Sequence, residues 1–164
     1  MQRRNSVISS ALISGTVAGF GVALAASLAG KRETGSYAAP LNATSHIVWG
    51  DEAARKNDAS MKYTGIGSLL NHASAIFWAT FYEYFFGGPT GDADGSRKFL
   101  KPVIGAAAVT AGAYVTDYYL VPKRFTPGFE KRISGKSLLI VYGALALGLA
   151  ATGLVRAAAR DSFT

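Results

Sequence analysis

Apolar and polar positions in this chain come in long blocks. Ser6–Ala29, Tyr63–Gly87, Pro102–Val121 and Ser137–Val155 are apolar blocks, and most of the charge sits in the connections between them. At 1.5 Å per helical residue the first block reaches roughly 36 Å, enough to cross a hydrocarbon core of ~30 Å. Strand-like alternation over about ten residues, the signature of a membrane barrel, does not occur. The pattern predicts an all-α chain. Its expected architecture is an antiparallel four-helix transmembrane bundle, one integral membrane domain over 1–164, with spans at about 6–29, 63–87, 102–121 and 137–155. An even number of spans puts both termini on one side. The loop lysines and arginines favour the side of the 30–62 and 122–136 connections as cytoplasmic. That side also has more loop residues, and the arginines abutting the first block pull the other way, which leaves the side open.

The first long loop has structure of its own. Pro40 suits a helix start, Asp51 and Glu52 precede Arg55 and Lys56 at helical spacing, and Leu41, Thr44, Val48 and Trp49 fall toward one face. A short interfacial helix over 41–57 is expected, with Trp49 at headgroup level. Ala23-Leu24-Ala25 fits a signal-peptidase site, so a cleaved leader is the rival reading of the first block. Its apolar core exceeds the roughly 7–15 residues of such leaders. Asp92-x-Asp94-Gly95 reads as a solvated turn, because the distal glutamate of a calcium loop is missing.

Composition narrows the classes. The net charge of +7 would suggest nucleic acid in a soluble protein, but here the bases flank apolar blocks as membrane loop charges do. No nucleic-acid partner is expected; the lipid bilayer is. The chain has no cysteine, which excludes disulfides, thiolate metal sites and cysteine nucleophiles. It has 19 glycines, and small residues recur at every fourth position in two strips, Ala11, Gly15, Gly19, Ala23 and Ser27, then Ala144, Gly148 and Thr152. Such strips let helix backbones approach closely. Packing within the chain is the expected use of Gly15, Gly19, Ala23 and Gly148, with self-association as the alternative.

The candidate chemistry lies on the second and third blocks. Ser68, His72, Ala79 and Glu83 share one helical face, and Ala106, Thr110, Ala113 and Asp117 share another. Centring the two spans and running them antiparallel sets Asp117 level with Asn71 and His72. A buried His72–Asp117 pair is predicted, with Asn71, Tyr114 or Tyr118 completing its hydrogen bonds. Glu83 falls at the opposite rim, where Arg97, Lys98 and Lys101 are its expected partners. The pair reads either as a polar lock fixing helix register or as a proton or solute site. His46 lies in the loop on the same side, so a metal or haem site with His46 and His72 is a further alternative. No metal-binding spacing supports it, and no cofactor or metal is predicted. Nucleophile elbow, P-loop and dinucleotide fingerprint are all missing, so no enzyme is expected.

The segments LNATSHIVWGDEAARKNDAS, YTGIGSLLNHASAIFWATFYE and AYVTDYYLVPKRFTPGFE resemble small inner-membrane proteins of bacteria with four predicted spans. The resemblance implies a bacterial inner membrane. It brings no activity and no site residues. The expected function is that of a polytopic membrane protein acting through helix packing with itself, as a homo-oligomer, or with a membrane partner.

Overall fold

A computed structural model describes residues 2–88 and 97–161, with side chains over 6–88 and 99–159. Six α-helices make up the described chain: α1 (Gln2–Thr34), α2 (Ala39–Thr44), α3 (His46–Trp49), α4 (Ile66–Phe86), α5 (Arg97–Val115) and α6 (Gly135–Asp161). Single π-helical turns, Met61–Gly65 and Thr116–Leu120, precede α4 and follow α5, and the described residues contain no strand. The all-α expectation holds.

Several boundaries move outward. α1 continues past Ala29 through Gly30 to Thr34, and Lys31 and Arg32 in its last turn complement the helix dipole. Gly35, at φ 77°, then takes the left-handed position that ends it. α5 begins at Arg97, so Pro102 lies inside the helix instead of opening it. At the other end Val121 turns extended (φ −84°, ψ 149°), as a residue preceding proline prefers.

α1, α4, α5 and α6 lie side by side with neighbours antiparallel. Gly15 meets Ile76 and Gly19 meets Ala75, which runs α4 against α1. Gly148 meets Ala18 and Gly21 meets Ala144, which runs α6 against α1. α5 packs mainly on α6 and less on α4. Small residues set these distances. A Cβ on Gly15 would lie 2.6 Å from Ile76 Cα, and one on Gly148 would lie 2.5 Å from Ala18 Cα. Ala23 is half-buried against the same core. The small strips are thus used inside the chain.

Among the described residues, three helical stretches are long and apolar enough to cross a membrane: Ser6–Thr34, Phe99–Leu120 and Gly135–Ala159. α4 is 21 residues long, carries Asn71, His72 and Glu83, and is not one of those three stretches. Of the four expected spans, three are thus candidate spans, and the second is a long helix outside that set.

The expected helix over 41–57 is not continuous. It breaks at Ser45, between α2 and α3, and again at Gly50 (φ 73°), which separates α3 from a 3₁₀ turn at Ala53–Arg55. Every residue of α2 is buried, so it is a plug under the loop and not a surface helix. Asn42 holds it there, donating from Nδ2 to Lys56 O and Asp58 O (both 3.0 Å) and accepting from Thr64 Oγ1 (2.6 Å). Val48 and Trp49 remain exposed, and Trp49 Nε1 donates to Lys62 O at 3.0 Å. The 122–134 segment closes over the same end: Arg132 donates to Ala54 O at 2.8 Å, and Lys131 pairs with Asp51.

Candidate functional site

Asp117 sits on the π-helical turn that ends α5. A π-turn inserts a residue into the α-helical repeat and re-aims the side chains around it. Here the Asp117 carboxylate meets α6, where Tyr142 Oη donates to Oδ2 at 2.6 Å. Tyr114 and Tyr118 pack their rings on Tyr142, at centroid distances of 5.2 and 6.1 Å. Tyr118 Oη reaches on to Glu130 Oε2 at 3.4 Å, and Thr126 Oγ1 donates to Glu130 Oε1 at 2.7 Å. Asp117 is therefore framed by phenols.

His72 does not join it. Its Nε2 lies 3.4 Å from Thr16 Oγ1, and its ring packs 6.0 Å from that of Phe20, both on α1. The predicted His72–Asp117 pair is corrected on this point: the two groups answer different helices, α1 and α6. Asn71 also turns toward α1, donating from Nδ2 to Gly19 O at 3.1 Å. His46 is buried in the end cap, with Nδ1 2.8 Å from Ala43 O and Nε2 3.4 Å from Lys123 O. The three-residue convergence of His46, His72 and Asp117 does not form, and the described residues hold no cluster of three such ligands.

The rim pair of Glu83 is likewise re-partnered. Its Oε1 accepts from Arg156 Nη2 at 2.6 Å, with the Glu83 side chain only 2% exposed. Lys101 donates instead to Gly88 O at 3.3 Å, and the side chains of Arg97 and Lys98 lie outside the described residues. The neighbouring Tyr82 hydroxyl is buried with no hydrogen-bond partner among the described residues.

Beside Asp117 lies a half-open cavity of ≈ 380 Å³, lined mainly by α4, α6, the end of α5 and the 122–134 segment, with Val22, Thr44 and Ile47 at its edge. Asn71, Trp78, Asp117, Phe129, Tyr142 and Leu145 are among its walls. Two of the predicted site residues, Asn71 and Asp117, thus meet across it.

Sequence reasoning missed Tyr142 and Arg156. Both were reachable by depth: Tyr142 precedes the centre of its span by about the distance Asp117 follows its own. Arg156 lies past that centre much as Glu83 lies past the centre of α4. No known protein family, no curated protein and no solved structure matches the chain.

Proposed function

We propose that this is a polytopic integral membrane protein, its four long helices lying in a bilayer, that works through helix contacts made there. The supporting observation is an inside-out distribution of size and polarity. Phe20 is 69% exposed and Leu147 73%, whereas Ala18 and Ala26 are fully buried. Large apolar side chains point away from the helix array, and Ser14, Asn71, Glu83 and Thr110 point into it. Water would penalise that surface, whereas hydrocarbon does not. α4 fits this setting because its polar groups bond to α1 and α6.

The contact surface is the outer face of α5. The small strips of α1 and α6 are engaged within the chain, but Ala108 and Gly112 on α5 remain exposed, and a Cβ on Gly112 would meet nothing. Small exposed residues four apart admit another helix backbone. The start of α1 and the end of α6 lie at one end of the array, which supports both facing one compartment. The resemblance to bacterial inner-membrane proteins supports that membrane as the setting.

Alkaline carbonate washing tests insertion: the protein stays in the membrane pellet and leaves it only with detergent. Release by carbonate overturns the reading. Because the native chain has no cysteine, Gly112→Cys reports the contact directly. A disulfide-linked dimer on mild oxidation identifies a second copy as the occupant, and a heterologous cross-link identifies a membrane partner. A chain that stays uncross-linked in native membranes removes this face as the contact.

A further inference from the structure

The cavity beside Asp117 carries an inference of its own, beyond insertion and helix contact. Its ≈ 380 Å³ falls in the range of small-molecule sites, roughly 300–1,000 Å³. Its walls are mostly apolar and include the rings of Trp78, Phe125, Phe129 and Tyr142, drawn from α4, α6 and the 122–134 segment. Among the described lining residues none is Lys, Arg or His, and the one carboxylate is Asp117. Tyr142 occupies Asp117 Oδ2, and no described residue donates to Oδ1. Asn71, also in the lining, commits Nδ2 to Gly19 O.

These groups sort ligands by charge. An anion would meet a carboxylate with no base in the lining to answer it. A neutral apolar molecule would cover the carboxylate while leaving its Oδ1 without a partner, which is costly. A cation gains from both parts of the lining, the carboxylate by direct pairing and the aromatic faces by cation–π attraction, strongest for tryptophan. We propose that this cavity binds a lipophilic organic cation, an amine or a quaternary onium carrying an aromatic or alkyl body. The cationic centre pairs with Asp117, and the body packs among Trp78, Phe125 and Phe129.

Tetraphenylphosphonium and tetraphenylborate have nearly the same shape and opposite charge, so they isolate the charge criterion in the unaltered chain. Equilibrium dialysis against the detergent-solubilised full chain, with empty micelles as background, gives saturable one-to-one uptake of the phosphonium and none of the borate. Asp117→Asn weakens phosphonium binding by at least tenfold and Trp78→Leu by a few-fold. Thr80→Ala, on the outer side of α4, leaves it unchanged. Gel filtration accompanies each variant, and if Asp117→Asn does not elute as the parent does, the contrast between the two ions decides alone. Saturable binding of both ions, binding of neither, or full phosphonium affinity in a well-folded Asp117→Asn chain overturns the proposal. Solubilised protein removes any dependence on membrane insertion, so this outcome and that of the carbonate wash are separate.

Discussion

Each end of the helix array holds a carboxylate against a neighbouring helix, and the two are treated differently. At one end Glu83 lies almost wholly inside and is met by a full positive charge, Arg156, at 2.6 Å. At the other, half-buried Asp117 is met by a neutral phenol, Tyr142, at the same distance, with a cavity alongside. A charge matched by a charge closes a site. A charge steadied by a dipole, with room beside it, leaves one receptive. The same chemical group is therefore a fastener at one end and a recognition element at the other.

The contrast can be broken hardest at the closed end. Arg156→Ala leaves Glu83 buried without its partner and should cost about 3–5 kcal/mol, seen as a lower thermal midpoint in detergent. Arg156→Ala combined with Glu83→Gln should recover much of that loss, since an amide carries no charge to strand. If the double variant melts no higher than the single, charge pairing is not what fastens this end.

Removing the same atom from two tyrosines sharpens the comparison. Tyr142→Phe deletes a hydrogen bond to a carboxylate and should cost about 2 kcal/mol. Tyr82→Phe deletes a buried hydroxyl without a partner among the described residues, and should be neutral or stabilise by up to ~1 kcal/mol. Equal melting shifts for the two would erase the distinction.

The smallest effect belongs to the exposed cap above Asp117. The hydrogen bond and charge of Lys131 hold the Asp51 carboxyl below its ordinary value. A carboxyl depressed in the folded state adds stability above its unfolded pKa of about 3.9, and that stability is lost as pH falls through the folded value. An acid melting series should thus show wild type losing a slight advantage over Asp51→Asn below about pH 4. An advantage constant down through the acid range would argue against the pair.

Element type and the depth of polar groups were legible in the chain; the choice of neighbour was not. Depth arithmetic placed Asp117 level with Asn71, and the two do share a cavity. It failed for His72 because α4 was paired with the helix next in sequence, whereas α4 packs chiefly on α1 and α5 on α6. The signal for that arrangement was present in Gly15, Gly19 and Gly148, whose missing side chains draw α4 and α6 onto α1. The cap escaped for a different reason. Periodicity suggests one helix through 41–57, and a kink at Ser45 and a left-handed glycine, Gly50, divide it.

The central place of α1 has a consequence for how the chain is made. α1 precedes α6 in synthesis, yet Ala18 on α1 rests directly against Gly148 on α6. One side of α1 can be covered as soon as α4 emerges, but the other waits for α6. The early helix spends most of translation half-clothed, and the array closes only when its latest-made helix swings back to the earliest.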